Sequence, residues 1–199
     1  MKLIVGLGNP GSRYAETRHN VGARAVRALA AELGVSLDEE RFFGRFGVGR
    51  IADTEVGLLL PETWMNKSGS AVAAALAELS LEEIARDLII VLDDVDLPLG
   101  RLRLRARGSD GGQRGLGDVL AVLGHENVPR LRIGVGRAAD PARDTKEFVL
   151  DSFTPEEAPT LPLLIARAGE ALRCFATAGI AEAMNRFNAA PPSGASDPE

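Results

Sequence analysis

Lys2-Leu3-Ile4-Val5-Gly6-Leu7 is an apolar, β-prone run that ends at glycine, and Gly8-Asn9-Pro10-Gly11 then turns the chain. Between Asn20 and Leu33, Val21, Ala25, Val26, Leu29, Ala30 and Leu33 recur at helical spacing, with Gly34 placed for the C-terminal stop. A buried strand followed by an amphipathic helix is how an α/β domain begins. Phe46–Ile51 and Val56–Pro61 read as two strands joined around Asp53-Thr54, Ser70–Leu79 as an alanine-rich helix, and Leu88–Leu92 as a strand buried on both faces. Arg101–Arg105 alternates Leu102 and Leu104 with three arginines, as a half-buried strand does. Residues 115–123 read as a helix, Leu131–Val135 as a strand, and Thr160–Ala178 with Ile180–Asn188 as a helical C-terminal end. The expectation is one α/β domain over 1–188, with a mixed, twisted central sheet flanked by helices, and a disordered tail over 189–199.

With 199 residues, 45% of them hydrophobic, the chain can bury a sizeable core. Cys174 is the only cysteine, so no intrachain disulfide can form, and no Cys/His set has metal-ligand spacing. The N-terminal apolar run is too short for a secretion signal, and no stretch approaches the ~20 apolar residues of a membrane span. A cytoplasmic protein with no membrane partner, and a monomer, is expected. The net charge of −5 argues against a nucleic-acid partner, but its distribution argues for one. Nine arginines (Arg101, Arg103, Arg105, Arg107, Arg114, Arg130, Arg132, Arg137 and Arg143) face only Asp110, Asp118, Glu126 and Asp140 over the same stretch. Such a segregated basic region is an electrostatic footprint even on an acidic protein.

Gly6-Leu7-Gly8-Asn9-Pro10-Gly11 fits the G-x-G-x-x-G dinucleotide fingerprint, which makes a nucleotide-binding enzyme the first rival reading. That fold starts a helix inside the glycine run, to meet the pyrophosphate, whereas Ser12 to His19 is polar and lacks helical periodicity. His19 is the side chain best suited to proton transfer near neutral pH, against the plainer reading of a helix-end histidine bonding backbone. His125 reads as a solvated loop residue. Asp93, Asp94 and Asp96 follow the buried strand Leu88–Leu92, at the carboxyl end where α/β proteins place their sites. Three carboxylates invite a divalent cation, but Asp94 is expected to point away from Asp93 and Asp96, and no second acidic or histidine cluster supplies the remaining ligands. One carboxylate that orients a histidine is chemically sufficient. Before the alanine-rich helix, Asn66 or Ser68 reads as an N-cap; alternatively Asn66 donates to a developing oxyanion, with Trp64 as a stacking or packing wall.

Taken together, Val5-Gly6-Leu7-Gly8-Asn9-Pro10-Gly11 with Tyr14, and Thr17-Arg18-His19-Asn20-Val21-Gly22, resemble the N-terminal signature of bacterial-type peptidyl-tRNA hydrolases. The resemblance continues through Pro61 to Gly69, Asp93 to Pro98, Gly108 to Gly112 and Arg130 to Gly136. No G-x-S-x-G occurs, which disfavours a serine hydrolase. The family resemblance implies hydrolysis of the ester between a peptide and the 3′ ribose of tRNA, without cofactor or metal. It implies His19 as the general base for water, Asp93 as its orienting carboxylate, and Asn9 as reader of the peptide amide beside the ester. It also implies that Asn66 bonds the water or the carbonyl oxygen, and that Tyr14 and Trp64 line the path of the 3′ end. Arg103 and Arg105, with Arg130 and Arg132 on a neighbouring strand, would then meet the phosphates of peptidyl-tRNA.

One position departs from the family pattern. After Gly111-Gly112 the family usually shows His-Asn-Gly, where this chain has Gln113-Arg114-Gly115. Arginine accepts no hydrogen bond and is permanently charged, so Arg114 cannot inherit the asparagine's role and is expected at the cleft mouth as a substrate anchor. The same departure keeps a second reading open, an RNA-binding relative that no longer hydrolyses.

Overall fold

The computed structural model describes residues 1–140 and 142–189; of the tail expected over 189–199, residues 190–199 lie outside the described residues. In chain order the strands are β1 (Lys2–Gly6), β2 (Glu39–Arg41), β3 (Gly44–Ile51), β4 (Thr54–Pro61), β5 (Leu88–Asp94), β6 (Leu102–Arg105) and β7 (Arg130–Gly134). The helices are α1 (Val21–Glu32), α2 (Ser68–Glu78), α3 (Ile84–Asp87), α4 (Arg114–Leu123), α5 (Thr145–Val149) and α6 (Leu161–Phe187). One seven-stranded sheet runs β2-β3-β4-β1-β5-β7-β6. The strands β4, β1, β5 and β7 are parallel, and β2, β3 and β6 add antiparallel edges. This is the mixed sheet the sequence leads one to expect.

Two hydrophobic cores explain why the central strands read as unbroken apolar runs. Ile4, Ile89 and Val91 face one core with Val26 and Leu29 of α1 and Leu172 and Phe175 of α6. Leu3, Val5, Leu88, Ile90 and Leu92 face the other, with Val72 and Leu76 of α2 and Leu116 and Val119 of α4. Both faces of β1 and β5 are therefore buried, and neither strand shows polar alternation. β6 shows the alternation because it is an edge: Leu102 and Leu104 are buried while Arg103 and Arg105 are exposed. Its outward backbone is occupied by one side chain, since Asn188 Oδ1 accepts from Leu104 N at 2.7 Å and Asn188 Nδ2 donates to Leu104 O at 3.1 Å.

Several elements depart from the sequence expectation. β2 is three charged or polar residues with no pattern of its own; it exists because Phe42 and Phe43, at φ of 54° and 55°, fold it back so that Arg41 pairs with Gly44. The edge-to-face contact of Phe42 with Phe46 at 5.0 Å buries one of these turn residues and offsets its left-handed backbone. α5, absent from the expected elements, is capped by Asp144, whose side chain accepts from Lys146 N and Glu147 N in an Asp-x-x-Glu start signal. Neither Asn66 nor Ser68 caps α2: Ser68 Oγ donates to Met65 O, and the Asp118 carboxylate of α4 accepts from Gly69 N at 2.7 Å. The two expected C-terminal helices form one element broken at Gly179, at φ 83° and ψ 176°, a conformation open to glycine.

α1 begins only at Val21, far from the glycine run, so the chain lacks the helix N-terminus a dinucleotide fingerprint requires. Instead Ala23 N donates to Leu7 O and Leu7 N to Val91 O, which seats the first turn of α1 on the ends of β1 and β5. A Cβ on Gly22 would stand 2.3 Å from Val91 O. Because that neighbour is backbone in the middle of the sheet, Gly22→Ala should cost roughly 1–3 kcal/mol through forced separation of helix and strand. At about 2–4 °C per kcal/mol for a domain of this size, the calorimetric midpoint should fall by several degrees. An unchanged midpoint would show that α1 lifts off β5 freely.

Candidate active site

The 3₁₀ turn Arg18–Asn20 carries His19 into α1, and the buried Arg18 pins that turn from behind. Arg18 donates to Ser152 O and to Glu157, both at 2.6 Å, and its guanidinium lies 4.3 Å from the Phe148 ring centre. Its own N–H donates to Asp151 O at 2.9 Å. No role for this arginine is legible in the sequence. The signal for it, a cation among apolar and turn residues, is too weak to identify partners more than a hundred residues away.

Held this way, His19 Nδ1 lies 3.0 Å from Asp93 Oδ1 and 2.9 Å from Oδ2. A carboxylate only accepts, so Nδ1 carries the hydrogen in the neutral ring and Nε2 is left with a free lone pair. Gln113 Nε2 donates to Asp93 Oδ1 at 3.0 Å and touches Met65 Sδ at 3.6 Å. Met65 N in turn donates to Asn9 Oδ1 at 3.0 Å. Asn9 is held at both backbone groups by Asn20, whose Oδ1 accepts from Asn9 N at 2.8 Å and whose Nδ2 donates to Asn9 O at 2.9 Å. Since Asn20 follows His19, these contacts close a ring from His19 through Asp93, Gln113, Met65, Asn9 and Asn20. The Asn9 carbonyl oxygen is occupied, and its Nδ2 is the group left to donate.

Asn66 sits exposed in the 3₁₀ turn Met65–Lys67, and its side chain makes no hydrogen bond among the described residues. Next to it, Tyr14 and Trp64 meet edge to face at 5.9 Å between ring centres, with Trp64 53% exposed. His19 and Asp93 open into a cavity of about 490 Å³ that Gly111, Gly112, Gln113, Arg114, Arg132, Arg137, Lys146 and Val149 help to line. Arg114 and His19 thus line the same cavity. A wider groove of about 900 Å³ runs from Asn9 and Pro10 along α1 and includes neither His19 nor Asp93.

The three neighbouring carboxylates diverge. Asp93 serves His19 and Gln113, Asp94 pairs with Arg132 at 2.5 Å, and Asp96 pairs with Arg137. Burial pushes the Asp94 carboxyl up, against the opposing pull of the Asp96 N–H and Arg132.

The two arginines of β7 do not stand open to phosphates as expected. Arg103 stands opposite Arg132 and Arg105 opposite Arg130, so all four share one face of the β6–β7 pair. Arg130, however, is 1% exposed; it donates to Val128 O at 2.6 Å, Gly108 O at 2.7 Å and Ser109 O at 3.1 Å. Desolvation lowers its guanidinium pKa to about 10, and no phosphate can reach it. Arg130 is a structural support for the loop 108–113, and Arg132 is already paired with Asp94. Of the four, Arg103 and Arg105 are exposed, Arg132 is half-buried and Arg130 is buried.

A family model described as peptidyl-tRNA hydrolase matches residues 3–195. The peptidyl-tRNA hydrolase of Symbiobacterium thermophilum is 48% identical over 94% of this chain and 98% of its own length. That of Roseiflexus sp. is 46% identical over 96% of this chain and 88% of its own. Among solved structures, the peptidyl-tRNA hydrolase of Acinetobacter baumannii superposes with a TM-score of 0.86 at 36% identity, covering 95% of each chain. The chain belongs to the peptidyl-tRNA hydrolase family.

Proposed function

We propose that this chain cleaves the ester between the peptide and the 3′-terminal ribose of peptidyl-tRNA, freeing tRNA from aborted translation, with a water activated by His19 as nucleophile. The observation that carries the reading is the hydrogen bond from His19 Nδ1 to the buried Asp93, which directs the basic Nε2 toward the cavity. Nε2 takes a proton from water as the oxygen attacks the ester carbonyl, and the ring returns that proton to the departing ribose oxygen. Asp93 holds the tautomer and stabilises the transient imidazolium. The reaction needs no metal or cofactor.

Asn9 supplies selectivity. With Oδ1 tied to Met65 N, its Nδ2 donates to the carbonyl of the last peptide bond. An aminoacyl-tRNA offers a free ammonium there, which brings no acceptor and leaves the donor unmet. Asn66 donates to the water or the oxyanion, and Tyr14 and Trp64 offer ring faces to the unpaired 3′ end. On the tRNA side, Arg103 and Arg105 bind acceptor-arm phosphates without reading sequence. Arg132, balanced by Asp94, contributes only the edge that lines the cavity. Protein acting as a monomer in the cytoplasm is consistent with this role, and no described helix is long and apolar enough to cross a membrane.

Arg114 opens α4, where a cation works against the helix dipole and also flanks the first-turn N–H groups of Arg114 and Gly115, that of Leu116 being held by Gln113 Oε1. An incoming phosphate relieves the first and satisfies the second. This supports Arg114 as an anchor for the terminal phosphates of the 3′ end and disfavours a purely RNA-binding protein, since the His19–Asp93 pair is intact.

Three outcomes follow from this reading. His19→Ala should lower the release of peptide from N-blocked aminoacyl-tRNA by about 10²–10⁴ while tRNA affinity is nearly kept, and excess EDTA should leave the wild-type rate unchanged. Turnover retained within a few-fold would remove His19 from the chemistry. Neutralising Arg103 or Arg105 should weaken all tRNAs alike and make the log–log salt dependence shallower by up to about one unit per lost contact. A salt slope unaffected in both variants would place the RNA elsewhere. Arg114→Asn should raise KM, most at low salt, with kcat level or higher; a kcat drop at constant KM would instead make Arg114 a transition-state group.

A further inference from the structure

We propose that Gln113 is a positioning residue of the reaction, fixing the Asp93 carboxylate and tying it to the first turn of α4. The inference rests on the His19–Asp93 mechanism above. His19 Nδ1 is nearly equidistant from both Asp93 oxygens, so the histidine alone does not fix how the carboxylate is turned. Gln113 Nε2, 3.0 Å from Oδ1, removes that freedom. The far end of the same amide is equally committed, because Gln113 Oε1 accepts from Leu116 N at 2.7 Å.

Reversing the amide would set its oxygen against a carboxylate and its NH₂ against a backbone N–H, so only one orientation satisfies both ends. The loop that delivers Gln113 is itself fastened. Gln113 N donates to Asp110 O, Gly112 N to Asp110 Oδ1, and the buried Arg130 holds the carbonyls of Gly108 and Ser109 from below. An amide does not ionise, so this brace is the same at every pH where the imidazole works, unlike the histidine that the family pattern has at this position.

The test must separate this bond from the capping of α4. Gln113→Ser keeps a good N-cap oxygen but is too short to reach Asp93, and Gln113→Glu keeps the length and the cap acceptor while facing Asp93 with a carboxylate. In both, kcat for N-blocked aminoacyl-tRNA should fall roughly 10- to 100-fold, the worth of a hydrogen bond to a charged group, with KM within about twofold. Gln113→His, which restores a ring N–H donor, should bring kcat back to within a few-fold of wild type. Two results overturn the proposal: kcat in Gln113→Ser and Gln113→Glu within about twofold of wild type, or a loss that tracks a lowered melting midpoint and is not rescued by Gln113→His. His19→Ala, measured in parallel, separates the two levels: an inactive His19→Ala beside a fully active Gln113→Ser sinks this inference alone, whereas an active His19→Ala sinks the mechanism beneath it.

Discussion

The first turn of α1 rests on the sheet backbone with no side chain between them. Gly22 has its Cα against the Val91 carbonyl, and Ala23 N–Leu7 O and Leu7 N–Val91 O lock helix, first strand and fifth strand together. The histidine lies three residues before Gly22, and its partner Asp93 lies two residues after Val91, roughly 7 Å further along the same strand. The distance between base and carboxylate is therefore set by backbone contacts in the rigid interior, and flexible side chains only complete it. A hydrogen-bonded pair built on such a contact tolerates little change beneath it, so its geometry depends on a glycine that touches neither partner.

The β6–β7 pair shows the same backbone logic applied to charge. Four arginines on one face of adjacent strands would repel one another if all stayed solvated. Burying Arg130 among carbonyls and setting Arg132 against Asp94 resolves this, and leaves the positive field of Arg103 and Arg105 concentrated at the sheet edge. The chain remains acidic as a whole, with net charge −5, so this positive field is local to the edge.

Much of this was legible in the sequence. Two-faced burial wrote β1 and β5 as continuous apolar runs, the 3.6-residue repeat wrote α1, and glycine at position 179 marked the break in α6. Asp93 is legible from its place at the end of a buried strand, but that it belongs with His19 and Arg114 is legible only through the family resemblance. The rest depended on information that periodicity does not carry. Alternation assigns Arg130 to a face but cannot say that the loop 108–113 covers that face. β2 is held by the turn after it and not by its own residues. Gln113 bonds Asp93, twenty residues before it, and Leu116, three after, and only the fold sets those two partners at opposite ends of one amide. Asn66 could be read as a cap because its sequence neighbours allow one; the carboxylate that does the work comes from α4.

At the other end of α6, the paired contacts of Asn188 with Leu104 have a consequence for association. A bare edge strand is a template on which another chain can add a strand, and a covering helix would shield it only by burying the side chains that β6 leaves exposed. A single carboxamide fills the outward donor and acceptor at the centre of β6 as a neighbouring strand would, without covering Arg103 or Arg105. The Leu104 position of this edge is thereby closed to an added β-strand, while the two arginines beside it stay exposed.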